Sequence, residues 1–417
     1  MKQKTNNLFD SKVEPIPRLR PDIDVIPVRD NGHSYLYFRD MRGYLEPHFA
    51  LDRKVGTVLS LLDGRKSIND LKPYLGKGVD GNQLLEFVRM LDENRLLLSS
   101  HFKAFAQQKE QEYEQADVHQ SVTAGNSYPA DPHELKTLLD DAFMQHSLSY
   151  RGISTESIHA LYAPHIDPRV GMETYVQSFQ MLKDIQPTRV VILATSHYSG
   201  LYGDFYQGQP FVVSSKNFEM PLATIPADHE AIARLLDEAG DTGLSGNDRA
   251  HRIEHSIELH LLFLSYLWQH DFSIVPVVIG GFGELLHSNG DRLQKQIGNF
   301  SRLLQNQFGG DDDTFFLISG DLAHVGKKFG DERPAATMRE EVRQFDEQFL
   351  TAGEKGSTEM MMDLMKEERD PYRICGYPPL YTFLHAFPEL EGQRISYDRW
   401  DQTERESAVT FGSILYQ

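Results

Sequence analysis

The chain has 417 residues, 40% apolar and 25% charged, enough for two domains and a large buried core. A net charge of −19 argues against a nucleic-acid function, because phosphate affinity needs a basic face. No apolar run approaches the ~18 residues of a membrane helix. The opening Met1-Lys-Gln-Lys-Thr-Asn-Asn7 lacks the apolar core of a secretory signal. The single cysteine leaves no internal disulfide to stabilise the fold, so a cytoplasmic protein is expected.

Charge is unevenly spread. Residues 1–110 carry 18 Lys and Arg against 15 Asp and Glu, and the remainder 24 against 46, which predicts a domain boundary near residue 110. In the first part, Ser34-Tyr-Leu-Tyr-Phe38 is β-prone. The stretch 54–62 places Val55, Val58, Leu59 and Leu62 on one helical face before Asp63-Gly64 stops it. Ser67 precedes a second predicted helix over 68–75, and Asp80 caps a third over 84–91. Leu96-Leu-Leu98 reads as a closing strand. Three short helices with terminal strands give a winged-helix-like module over residues 1–110. The phrase Leu61-Leu-Asp-Gly-Arg65-Lys-Ser-Ile68 resembles the winged-helix peptide-binding domains of the PqqD type, which accompany radical-SAM enzymes. A helical cap over the main domain is the alternative reading. Residues 104–118 are polar and read as a helical or flexible linker.

The second domain, 111–417, alternates apolar runs with amphipathic stretches. Strands are predicted near 157–163, 189–195, 273–279, 314–319 and 407–415, and helices over 133–144, 172–184, 227–239, 254–268 and 334–351. That pattern predicts an α/β fold with a mostly parallel or mixed sheet flanked by helices. In open α/β sheets ligands bind beyond the carboxyl ends of the strands. Three predicted strands run straight into histidines there: Leu161-Tyr-Ala-Pro-His165-Ile-Asp167, Val190-Val-Ile-Leu-Ala-Thr-Ser-His197 and Phe315-Phe-Leu-Ile-Ser-Gly-Asp321-Leu-Ala-His324.

Imidazole and carboxylate suit iron, zinc and copper, so His165, His197, Asp321 and His324 are candidate ligands. The pair Asp321 and His324 converges on one ion if its turn opens into a helix. A second polar cluster, Glu254-His255-Ser-Ile-Glu258, lies at the start of the helix predicted over 254–268. Either His255 or Glu258 orients ligands or moves protons, or the acids merely suit the dipole of a helix N-terminus. Cys375 precedes Gly376 and a Pro378-Pro379 helix start. It is either an activated thiolate near a helix N-terminus or a buried inert thiol. There is no P-loop, no GxGxxG, no HExxH and no nucleophile elbow.

Taken in order, Ala124-Gly125-x-x-Tyr128-Pro129, Ala163-Pro-His165, Ser196-His197, Glu254-His-Ser-Ile-Glu258, Asp321-Leu-x-His324 and Cys375-Gly376 resemble the Memo family over residues 120–417. Its prokaryotic members are called AmmeMemoRadiSam system protein B, and it is similar in fold to the LigB-type class III extradiol dioxygenases. The resemblance implies a mononuclear non-haem metal pocket. His165, His197, Cys375 and Asp321 would hold the metal, His324 would be the acid/base, and His255 and Glu258 would line the pocket. Fe(II) is the expected metal, with Cu or Zn competing because Cys375 softens the ligand set. Many members continue Pro-His-Ala-Gly-Tyr where this chain has Pro164-His-Ile-Asp-Pro168, so Asp167 is expected to add charge there. The implied function is a metal-dependent oxidoreductase acting on a small molecule or peptide. The alternative is an adaptor serving radical-SAM and AMMECR1-like partner proteins through the N-terminal module.

Overall fold

The computed structural model describes residues 8–76, 78–147, 158–287 and 290–417. The polar opening, residues 1–7, lies outside them. The chain divides into two compact units, 1–115 and 116–417.

In the first unit, β1 (Ile23–Asp30) turns back on β2 (His33–Asp40) through Asn31-Gly32, both at positive φ. Asn-Gly is the pair that a two-residue hairpin turn selects. A short β3 (Ala50–Asp52) completes the antiparallel sheet. Four helices follow: α1 (Gly56–Ser60), α2 (Ile68–Leu75), α3 (Gly81–Glu93) and α4 (Ser100–Glu114). Ser67 and Asp70 form a reciprocal capping box on α2, and Asp80 caps α3. Two predictions need adjustment, and a third is decided in favour of its helical alternative. The helix expected over 54–62 is a single 3-10 turn plus α1. The strand expected at 96–98 is reduced to one antiparallel bridge between Leu97 and Leu19, with Leu98 N–H donating to the Arg18 carbonyl and Arg20 N–H to the Leu96 carbonyl. The polar stretch from 104 is helical to Glu114, because Ser99 caps it and Phe102 and Ala106 turn inward.

The second unit opens with β4 (Val118–Gln120), α5 (Pro132–His146), β5 (Ala160–Ala163), α6 (Pro168–Phe179) and β6 (Arg189–Thr195). Then come β7 (Phe211–Val213), β8 (Asn217–Glu219), β9 (Thr224–Ile225), α7 (His229–Asp237) and β10 (Leu244–Ser245). They are followed by α8 (Glu258–Leu267), β11 (Ser273–Ile279), α9 (Gly283–His287), α10 (Asp291–Phe308) and β12 (Thr314–Ser319). The chain closes with β13 (His324–Gly326), α11 (Arg339–Glu354), α12 (Thr358–Glu368), α13 (Tyr377–Ala386), β14 (Gly392–Gln402) and β15 (Ser407–Tyr416).

The main sheet runs β10-β7-β11-β6-β12-β5-β15-β13, with β14 also on β15. Its centre, β11-β6-β12-β5, is parallel, while β7 and β15 join antiparallel. The fold is therefore mixed α/β with a helix-flanked sheet. Alternate residues of each central strand enter opposite cores. Val191, Leu193, Phe316 and Ile318 pack on one face, and Val190, Ile192, Phe315 and Leu317 on the other. Burial on both faces is why these strands read as unbroken apolar runs.

Of the strand predicted from 157 to 163, residue 157 lies outside the described residues. Helix α6 begins four residues earlier than expected, at Pro168, where proline is preorganised for a first turn capped by Asp167. Helix α8 begins at Glu258 rather than 254. The Glu254 carboxylate accepts from the backbone N–H of His255 (2.9 Å) and Ser256 (3.1 Å), and this holds the chain in a turn.

One buried acid in this unit has a readable cost. Asp346 on α11 is fully buried against Tyr397, whose hydroxyl donates to it at 2.9 Å. Burial pushes its carboxyl up to about 7, whereas an unfolded chain ionises it near 3.8. The native state thus binds more protons between those values, and stability is lost as pH rises through them, by up to about 4 kcal/mol. Asp346→Asn is expected to melt higher than wild type at pH 8 and close to it at pH 4. Thermal melting at the two pH values is the check, and an equal change at both would contradict the assignment.

Candidate metal centre

The ends of β5, β6 and β12 bring their polar residues to one edge of the sheet, and the turn before α13 adds Cys375. Ligand atoms of His165, His197 and Cys375 lie within 4.8 Å of one another. Two overlapping groups meet the same limit: His197 with Glu254 and His255, and Asp321 with His324 and Cys375. Six of the seven residues singled out from the sequence therefore converge. Glu258 belongs to none of these groups.

Fixed partners set the histidine tautomers. Ser319 Oγ donates to the Ser256 carbonyl at 2.7 Å, so it can only accept from His165 Nδ1 at 3.0 Å. His165 Nε2 is left with its lone pair, 3.3 Å from Cys375 Sγ. His197 Nδ1 donates to Glu254 Oε1 at 2.9 Å, and His197 N–H donates to Oε2 at 2.8 Å. His324 Nδ1 faces the carbonyls of Leu322 (3.0 Å) and Arg373 (3.2 Å), which only accept, so its Nε2 is free too. A buried acceptor on one ring nitrogen with the other left open is the arrangement that orients metal-ligating histidines.

Asp321 accepts from the backbone N–H of His165 at 2.9 Å and donates its own N–H to Cys375 Sγ at 3.2 Å. Burial pushes its carboxyl up to about 7. Burial also lowers His165 well below its ordinary range, and brings His255 and His324 down to about 4. At His197 burial opposes charge, but the Glu254 carboxylate overrides it and holds the ring above its ordinary range. A metal there would displace a proton. The thiol of Cys375 is pushed up by burial, against a smaller pull from His197. Burial, rather than the helix end, decides its acidity.

The Asp321–His324 convergence does not use a helix, contrary to the sequence expectation. Residues 320–323 form no helix, and β13 pairs His324 with Val409 of β15. Asp167 is not among the clustered ligand atoms, but its charge is felt at His255, as expected. Its carboxylate caps α6 and pairs with Arg169, while accepting from Ser127 Oγ at 3.1 Å. Glu258 is fully buried and accepts from five donors: Ser121 Oγ (2.5 Å), Val122 N (2.7 Å), Thr123 N (3.1 Å), Thr123 Oγ1 (2.6 Å) and Tyr128 Oη. It fastens the segment carrying Ala124-Gly125-x-x-Tyr128-Pro129 to the start of α8.

Sequence reasoning left Glu254 out of the site and did not single out Ser319 or Ser256. Glu254 read as an ordinary helix-start acid. Its adjacency to His255 was the one available signal, whereas a serine ending a strand carries none.

A family model described as Memo-like protein matches residues 119–415. This chain belongs to the Memo family. A MEMO1 family protein of Aquifex aeolicus is 24% identical over 405 residues, covering 95% of this chain and all of that protein. One of Thermus thermophilus is 27% identical over 338 residues, covering 81% and 94%. One of Saccharolobus solfataricus is 26% identical over 272 residues, covering 63% and 85%. The Memo match thus contains every clustered residue, and the Aquifex relative aligns with the first unit as well.

In this Memo protein two glycines hold the cysteine against the strand end. A Cβ at Gly320 would sit 2.1 Å from Gly376 Cα, and one at Gly376 would sit 2.2 Å from Tyr162 Oη. Arg373, at φ 56, is held by donating to the His324 carbonyl and pairing with Asp331. Gly320→Ala is expected to push the Cys375 turn off β12, costing about 1–3 kcal/mol and lowering metal occupancy. Melting and metal analysis check this, and wild-type values in both would refute the packing argument.

Proposed function

We propose that this Memo family member is a cytoplasmic, metal-dependent enzyme, an oxidoreductase related to the extradiol dioxygenases and using mononuclear non-haem Fe(II). The observation that carries the reading is the set His165, His197 and Cys375, with the two imidazoles oriented by buried Ser319 and Glu254. Asp321 stands beside them as a further oxygen donor. A thiolate makes the set softer than two histidines and a carboxylate, so Cu or Zn competes with iron. When bound, such an ion supplies redox or Lewis-acid chemistry at this point.

The chain's own residues would do the rest. His324, neutral near pH 7 and tied at Nδ1, would take or give a proton at Nε2. His255 stacks on His197 with ring centroids 4.8 Å apart, and restricts how that ring turns. Glu254 would hold His197 in place. Residues 1–115 would serve as the module that meets a protein partner. Titration of metal-free protein with Fe(II) tests the assignment. One ion per chain is expected for wild type and His324→Gln, and none for His165→Ala. Full occupancy in His165→Ala would overturn the ligand set.

A further inference from the structure

A groove of about 530 Å³ opens beside the metal centre, with Ser196 and His197 in its wall. That is the size of a small-ligand site. Its width comes from missing side chains. At Gly200, Gly203 and Gly281 a Cβ would meet nothing within 4 Å, so the space beside each is open. Tyr206 and His197 are the only rings in its wall among the described residues. Tyr206 is buried with its hydroxyl donating to the Asn247 carbonyl. The described wall thus offers few aromatic faces on which a ring could stack.

The charges point elsewhere. Arg292, on the first turn of α10, lines the groove together with two acids, Asp204 and Glu284. Neither the Arg292 nor the Asp204 side chain makes a hydrogen bond or close ion pair among the described residues, although the Arg292 charge also acts on the Asp241 carboxylate. A guanidinium favours a carboxylate, and a carboxylate favours an ammonium. We infer that this groove is the substrate site and that its ligand is an aliphatic zwitterion of the α-amino-acid type. Arg292 takes the carboxylate, Asp204 takes the ammonium, and the chain lies along the glycine-lined wall toward His197.

The inference rests on the metal-enzyme reading only for where the groove leads, so binding is tested on metal-free full-length protein. The probes are norvaline, pentanoate, butylamine and catechol, read by saturation-transfer NMR. Norvaline is expected to bind at least about tenfold tighter than pentanoate or butylamine, and catechol not to compete. Arg292→Ala should bring norvaline to the level of butylamine, and Asp204→Asn to the level of pentanoate. Gly281→Leu, at a position without positive φ and facing open space, should fill the groove and abolish binding, with an unchanged melting curve showing that it folds. Catechol binding in place of norvaline, norvaline binding unaffected by Arg292→Ala and Gly281→Leu, or no binding by any probe would each overturn the proposal. None of these results touches the metal assignment, which the Fe(II) titration decides separately.

Discussion

Glu254→Gln is expected to weaken metal binding about 10- to 100-fold, the usual cost of losing the group that orients a ligating histidine. The native carboxylate accepts from four donors: His197 Nδ1, and the backbone N–H groups of His197, His255 and Ser256. Burial makes it a weaker acid, but His197 overrides that and holds the carboxyl down at about 2, so it stays ionised. An amide in its place offers one oxygen and one NH2. If the NH2 faces His197, that ring keeps its proton on Nε2 and its ligand lone pair is lost. Glu254→Ala leaves all four donors without a buried partner and adds a stability loss of about 3–5 kcal/mol. Chelator competition measures the first effect and thermal melting the second. Wild-type affinity in Glu254→Gln would mean that His197 is not a ligand.

Glu258→Ala should cost stability rather than metal. Five donors from residues 121–128 converge on that carboxylate, and all five would be left unsatisfied, a loss of about 3–5 kcal/mol. The strap they form also touches Asp167 through Ser127, so releasing it frees both the His165 loop and the His255 turn on one side. The expected result is a lower melting temperature and early proteolytic cleavage within residues 121–131, with one metal per folded chain retained. A variant that melts like wild type but fails in turnover would place Glu258 at the reacting centre, the role its position in the Glu254–Glu258 motif implies.

The contrast between these two glutamates shows what the sequence carried and what it did not. Strands β6, β11 and β12 were legible to the residue because burial on both faces leaves no polar residue inside them. Each polar residue just past a strand end was therefore conspicuous, and His165, His197, Asp321 and His324 followed. Glu254 and Glu258 are four apart, which on a helix puts them on one face. A turn separates them instead, and it exists because Glu254 accepts from the two N–H groups after it. No periodicity records such a contact. The same holds for Ser319, whose role depends on a carbonyl 63 residues away in sequence. β14, on the outer side of β15, mixes charged and apolar residues and gave no run to find.

The central claim is that His165, His197 and Cys375 share one ion. X-ray absorption on iron-reconstituted protein tests it most directly, because sulfur and oxygen or nitrogen neighbours scatter differently. Wild type should show one sulfur neighbour at about 2.3 Å, the usual metal–thiolate distance, with imidazole nitrogens completing the shell. Cys375→Ser should lose that sulfur while keeping the imidazoles. A wild-type spectrum with only nitrogen and oxygen neighbours would remove Cys375 from the ligand set and leave Asp321 as the third donor. Protein that cannot be loaded at all would contradict the metal centre itself.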